Sequence, residues 1–252
     1  MKITVLGSGS AVLVPERHSS AHIIQSQNNQ YLFDAGDGVT QQLIKYKFKP
    51  DTIKAVFISH THADHAAGII MLIQTMQQIK RTAPLEMYIP DSILLNFDSV
   101  FPYFQIYKEK LLFPLILKGI SSQTLFEDND FQIRAVQNDH LQKNKTYAAE
   151  YGHEVSSFSF LITEKSTNII YTSDINNFKH LQKYTDNTEL LISECTHVSI
   201  ASVKKFAETY NIKNVILSHI PPEIDNQHLT TENVSSDKVN MIISHDGQVF
   251  EV

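Results

Sequence analysis

The chain has 252 residues, enough for one sizeable core or two small domains, and its 42% hydrophobic and 19% charged residues are those of an ordinary globular protein. A formal charge of −6, from 21 basic and 27 acidic residues, with only scattered lysines, argues against a dedicated binder of nucleic acid. No window approaches the roughly 20 apolar residues of a membrane helix, so no membrane partner is expected. Gly7 to Ser10 break the N-terminal apolar run after about five residues, too soon for a signal peptide, and the single cysteine, Cys195, rules out an internal disulfide. Both observations lead us to expect a cytoplasmic protein.

In chain order, KITVLG (2–7) reads as a strand stopped by a Gly/Ser turn. SAHIIQS and QYLFDAG read as a hairpin about Asn28 and Asn29, and GVTQQLIKY as a helix. IKAVFIS, ending at Ser59, is apolar and rich in β-branched residues, a strand fit for burial on both faces. A helix is expected from near Ala66, followed by the strand LEMYIP. Residues 91–122 are aromatic and partly helical, with Pro102 and Pro114 as interruptions. DFQIRAVQ, SFSFLITE, NIIYTSD, ELLISEC and NVILSHI read as strands, with IASVKKFAETY a helix between the last two. VNMIIS and QVFEV are expected to close the chain as a hairpin about Asp246-Gly247. Hairpins followed by strand–helix alternation, in both halves of the chain, call for an α/β fold: two mixed sheets face to face, helices outside, four layers in one domain over 1–252.

The densest chemistry lies in SHTHADH (59–65), where His60, His62, Asp64 and His65 follow the buried strand and precede the helix. Side chains alternate along extended backbone, so His60 and His62 point the same way. Asp64 and His65, where the helix begins, can face the same cavity. Four ligand-type residues this close cannot all serve one tetrahedral ion, but they can divide between two: His60 and His62 for one, Asp64 and His65 for the other. His140, Asp174 and His219 each end a predicted strand. Any one of them alone is an ordinary polar residue at a strand end; together with the four-residue loop they are candidates to complete both sites.

SHTHADHAAGI resembles the signature of the metallo-β-lactamase superfamily, and LGSGSAVLVPERHSSAHII, YLFDAGDGVTQQLI, NDH (138–140), YTSD (171–174), ECTH (194–197) and LSHIPP (217–222) are similar, in order, to the ribonuclease Z branch. The resemblance implies the αβ/βα sandwich of the metallo-β-lactamase fold. It also implies a pair of zinc ions, with His60, His62 and His140 on one, Asp64, His65 and His219 on the other, and Asp174 bridging. Histidine and carboxylate ligands accept manganese or iron as well. Cys195 does not stand at a family ligand position, which argues against hydrolysis of lactam antibiotics. Asp34 is expected to orient a ligand histidine, and Asp37 either does the same or caps the following helix with Gly36 and Gly38.

Such a site hydrolyses: paired ions polarise the scissile bond and bring the pKa of water near 7. Asp64 belongs to both the ligand and the catalytic set. Diester cleavage also needs a general acid, and His197, three residues after Glu194, is the candidate, with Glu194 as its partner; the alternative is that His197 merely starts a helix and faces solvent. Family members that process tRNA carry an RNA-gripping arm, and no Gly/Pro/basic-rich insertion of that kind stands in 85–200. A small phosphodiester, such as a cyclic nucleotide or a short nucleotide product, is therefore the expected substrate, with long RNA in doubt. A lactone or other ester hydrolase on the same fold is the alternative, and a non-catalytic binding module comes last, since every expected ligand is present. The aromatic stretch 97–117 reads as core and cover, with a substrate-facing lid or a homodimer contact as alternatives.

Overall fold

A computed structural model describes residues 1–122, 124–129, 131–226 and 230–252. The first sheet holds β1 (Lys2–Gly7), β2 (Ala21–Ser26), β3 (Asn29–Phe33), β4 (Ile53–Phe57), β5 (Leu85–Pro90) and β6 (Leu115–Ile120). The second holds β7 (Leu125–Asp128), β8 (Phe131–Asn138), β9 (Ser157–Glu164), β10 (Thr167–Tyr171), β11 (Thr188–Glu194), β12 (Asn214–Ser218) and β13 (Asn240–Ile243). A last strand, β14 (Val249–Glu251), returns to the first sheet beside β1. Helices are α1 (Val39–Lys45), α2 (Ala63–Ala66), α3 (Ile69–Gln78), α4 (Leu94–Asp98), α5 (Lys145–Glu150), α6 (Ile200–Thr209), α7 (Pro222–Asn226) and α8 (Thr231–Val234). Each seven-stranded sheet begins antiparallel and turns parallel where helices make the crossovers, from β3 to β6 in the first and from β10 to β13 in the second.

Period-two alternation sorts the apolar side chains into three cores. Tyr31, Phe33, Ala55 and Phe57 face Phe158, Phe160, Ile169, Tyr171 and Ile192 between the sheets. Leu32 and Val56 point outward against Val39 and Leu43 of α1 and Leu72, Ile73 and Met76 of α3. Ile170, Leu191, Val215 and Leu217 point outward against Val203, Phe206 and Ala207 of α6. Helix α3 owes its place to spacing, burying Ile69, Leu72, Ile73 and Met76 as one stripe. Helix α6 is started by Ser199, whose Oγ accepts the Ser202 N–H. The expected four-layer α/β sandwich is the fold found.

Four local expectations need correction. The hairpin turn is Gln27-Asn28, with Ser26 opposite Asn29 and Gln27 at φ 52°, so Asn29 already belongs to β3. The helix after the histidine loop begins at Ala63, so Asp64 and His65 lie in its first turn. β6 lies within the segment read as aromatic and partly helical; in the strand read as DFQIRAVQ, Asp130 lies outside the described residues. The C-terminal pair is no hairpin: β13 runs parallel to β12 in the second sheet, whereas β14 crosses to pair antiparallel with β1.

Candidate metal centre

All seven candidate ligands converge at the carboxyl-terminal edge of the two sheets. Asp34 follows β3, and His60, His62, Asp64 and His65 follow β4. His140 lies two residues beyond β8, Asp174 three beyond β10, and His219 directly after β12. β8 runs the same way as β10, because β9 is antiparallel to both, so all these exits lie at one edge. Asp34, Ser173 and His219 all take left-handed backbone, at φ 56°, 50° and 52°. Non-glycine residues there carry local strain, of order 1–3 kcal/mol each, and such strain concentrates at functional sites. At this edge it turns three segments of the chain sharply enough to face one point.

The ligand atoms form two sets joined by one carboxylate. His62 Nδ1 lies 3.1 Å from His60 Nε2 and 3.3 Å from His140 Nε2. Asp174 Oδ2 faces this set, 3.8 Å from His60 Nε2 and 3.6 Å from His140 Nε2. In the second set, His219 Nε2 is 3.1 Å and His65 Nε2 3.7 Å from Asp64 Oδ2. Asp174 Oδ1 faces that set, 3.3 Å from His65 Nε2 and 3.5 Å from His219 Nε2. Tetrahedral ligation at 2.0–2.1 Å spaces ligand atoms about 3.3 Å apart, so both sets have the spacing of a metal site. His65 Nε2 and Asp174 Oδ1 are buried with no hydrogen-bond partner, which is expected of atoms that share a cation. The residues thus fit a metal, and imidazole with carboxylate suits zinc, manganese or iron.

Without an ion, the electrostatics of the cluster are those of packed imidazoles. Burial drives His60 well below its usual pKa and His140 down to about 4. Burial opposes charge on His65 too, but the carboxylates of Asp174 and Asp34 outweigh it and hold His65 well above the usual value. Asp174 is held well below the carboxylate range, against its burial, by His219 and His65.

Behind the ligands stands Asp34, fully buried. Its Oδ1 accepts the Ser59 N–H at 2.8 Å, and its Oδ2 accepts from His65 Nδ1 at 2.8 Å and from the Tyr171 hydroxyl at 2.7 Å. Burial and Asp34 raise the Tyr171 pKa well above its usual value, so the phenol keeps the proton it donates. Asp37 is exposed in the turn before α1. Cys195 is buried, its Sγ 3.7 Å from the Ser218 carbonyl, and burial pushes its pKa up to about 12; among the described residues it joins no ligand set. Sequence reasoning passed over Ser59, Thr196 and Tyr171, which touch ligands or Asp34 through single hydroxyls; their only signal was position beside the histidine and aspartate motifs.

Glu194 is buried, and its Oε2 accepts the backbone N–H of Thr196 at 2.8 Å and of His197 at 2.7 Å. The same oxygen lies 3.2 Å from His197 Nδ1. That hydrogen bond raises the His197 pKa, with burial opposing it. The His197 ring is 35% exposed and packs near His140 and His219, with centroids 4.7 and 5.9 Å apart, at the mouth of the cluster. It does not start a helix, since α6 begins at Ile200.

The sandwich and the doubled ligand set at its edge define a ribonuclease Z-like member of the metallo-β-lactamase superfamily. The chain belongs to the family described as Anti-Pycsar protein Apyc1, whose model matches residues 1–230. The chain is 30% identical over 155 residues to a ribonuclease Z of Treponema pallidum (strain Nichols), an alignment covering 61% of this chain and 49% of that protein. The chain thus spans about half the length of the curated relatives it matches. Human tRNase Z, short form (ELAC1), superposes with a TM-score of 0.77 at 22% identity, over 100% of this chain and 99% of that one. The metallo-beta-lactamase fold protein YhfI of Bacillus subtilis does so with a TM-score of 0.77 at 22% identity, over 99% and 98%. At such identities these structures establish the fold.

Proposed function

We propose that this chain is a two-zinc phosphodiesterase acting on a small diester, such as a cyclic nucleotide or a short nucleotide product. The observation that carries the reading is Asp174, whose two carboxylate oxygens each face a separate ligand set. His60, His62 and His140 would hold one ion, Asp64, His65 and His219 the other, and Asp174 would serve both. Bound there, the pair supplies Lewis acidity and a lowered water pKa, the means of attacking a diester at neutral pH. Support for a diester comes from the relatives named ribonuclease Z. Support for a small one comes from the −6 charge and from residues 91–114, where short helical turns bury Phe101, Ile106 and Phe113 on the outer core of the first sheet.

Glu194 and His197 supply the proton. Glu194 holds the imidazole through Nδ1, leaving Nε2 to donate to the departing alkoxide, and the same hydrogen bond raises the pKa in favour of the protonated form. His197 Nδ1 lies 3.7 Å from Asp174 Oδ2, and with Asp174 and His219 it forms a group that could itself hold an ion, but its bond to Glu194 supports the acid's role over that of a further ligand.

The test is a panel of substrates on the zinc-loaded protein: bis(p-nitrophenyl) phosphate, its monoester, cyclic nucleotides and lactones. We expect diester turnover with little monoester turnover and about two ions per chain by elemental analysis, the count falling below one in Asp174→Ala. Lactone turnover without diester turnover overturns the reading, as does failure to retain any metal after zinc is supplied.

A further inference from the structure

Ser59 sits between the two halves of the cluster. Its backbone follows β4, its side chain is fully buried, and its hydroxyl meets three partners: Asp34 Oδ2 at 3.0 Å, Ser173 Oγ at 2.6 Å and His60 Nδ1 at 3.0 Å. A hydroxyl has one proton to give and two lone pairs to offer. The Ser59 hydroxyl gives its one proton to Asp34 Oδ2. The Ser173 hydroxyl donates to Ser59 and fills one lone pair. The remaining lone pair must then accept from His60, which places the His60 proton on Nδ1 and leaves Nε2 as a bare lone pair turned towards His62 and Asp174. Asp34 Oδ2 also accepts from His65 Nδ1, which leaves His65 Nε2 free for the other set.

We propose that Ser59 is a positioning residue that extends the hold of Asp34 from the His65 site to the His60 site, so that one buried carboxylate fixes a ligand tautomer in each. Asp34 holds His65 directly and His60 through one hydroxyl. His219 has an anchor of its own: the Thr196 hydroxyl donates to the His219 carbonyl at 2.7 Å and so accepts from His219 Nδ1 at 2.9 Å. The His60 anchor is therefore separable from those of the second set. Partners of this kind move metal affinity by about 10–100-fold when removed.

The inference rests on the two-metal reading, and its test uses no turnover. In the metal-free protein labelled with 15N-histidine, two-bond ring spectra report the tautomer of each imidazole. His60 is expected as the Nδ1–H form. Zinc is then titrated against a competing chelator, with the histidine peaks reporting which site fills. Ser59→Ala is expected to weaken the His60, His62, His140 site about 10–100-fold and leave the other within about threefold. Asp34→Asn is expected to weaken both. A His60 Nε2–H tautomer in the unaltered protein overturns the proposal whether or not the variants fold. Equal weakening of both sites by Ser59→Ala, or no weakening of either, also overturns it. The two-metal reading fails on a different result, namely a protein that takes up no zinc.

Discussion

Half-exposed at the mouth of the cluster, His197 is the side chain proposed as the general acid. If its raised pKa serves proton donation, the benefit depends on the leaving group. His197→Ala should lower kcat about 10²–10⁴-fold for a diester with an alkyl leaving group, and only a few-fold for p-nitrophenyl esters, whose leaving group needs no proton. Metal content, measured alongside, should not change; an equal loss on both substrates would assign His197 a structural task instead. A quieter histidine, His22, is buried between Tyr171 and Ser218, and burial lowers its pKa to about 4. Because the unfolded chain titrates at 6.5 and the folded chain near 4, only the unfolded chain gains this proton as pH falls through that window. Stability should therefore be lost from pH 6.5 downwards, by about 3 kcal/mol from this group once pH 4 is reached. Urea unfolding at stepped pH checks this: His22→Gln should show a shallower slope than the parent between pH 6.5 and 4, and parallel slopes would refute it. At this scale the candidate ligands were legible in the sequence because four residues of ligand type crowd into SHTHADH, between a buried strand and a helix, and the fold brings them together with His140, Asp174 and His219. The hydroxyls of Ser59, Thr196 and Tyr171 were not, since serine, threonine and tyrosine occur everywhere and only the folded backbone brings these three against the histidines and Asp34.

Between elements, the site depends on two loops lying almost in contact, and glycines make that approach. A Cβ on Gly36 would stand 2.2 Å from the Asp64 carbonyl and 2.6 Å from Ser19 Cβ, and one on Gly68 would stand 2.2 Å from the Gly36 carbonyl. The FDAGDG turn and the start of α2 are thereby locked together, with Ala35 N–H bonded to the His65 carbonyl at 2.7 Å and Gly68 N–H to the Ala35 carbonyl at 2.9 Å. Gly36→Ala should cost about 1–3 kcal/mol and weaken metal binding together, because the chain carrying Asp64 must move. Gly152→Ala is the control: its left-handed φ of 75° makes it costly as well, but nothing lies within 4 Å, so stability should fall with metal affinity intact. If Gly36→Ala binds zinc as the parent does, the loop contact is not what places Asp64. Elements with strong alternation or continuous burial were readable from sequence. β6 was not, because it is the edge strand of its sheet and its Leu115–Gly119 stretch is only partly covered, giving no clean period. The β13–β14 pair misled for a tertiary reason. A turn does form, with Gly247 at φ 84°, but Asp246 pins it to the first sheet, accepting from Ser8 N–H and Oγ at 2.9 and 2.7 Å, His18 N–H at 2.8 Å and Gln42 Nε2 at 2.8 Å. Local sequence cannot distinguish a hairpin from a step between sheets.

Taken whole, the molecule is two sheets with the candidate metal centre on their seam. His60, His62, Asp64 and His65 come from the first sheet, and His140, Asp174 and His219 from the second, so any ion held as proposed binds both halves at once. The aromatic core between the sheets and the crossing of β14 join them independently of metal. Two consequences follow for unfolding. An ion that binds only the folded chain stabilises it by about 2.7 kcal/mol when present at roughly 100 times its Kd. For a chain of this size that corresponds to a rise in Tm of roughly 5–10 °C per ion. Chelation should therefore lower the midpoint by that order while leaving one cooperative transition, since the shared core still couples the sheets. Calorimetry of zinc-loaded and chelated protein, run beside tyrosine fluorescence in which Tyr→Phe variants separate Tyr46, packed on the outer core of the first sheet, from Tyr184, packed on that of the second, reports the two sheets individually. Coincident transitions in both states support a seam that metal reinforces; a chelated protein whose sheets melt separately would show that the ions, and not the aromatic core, hold the halves together.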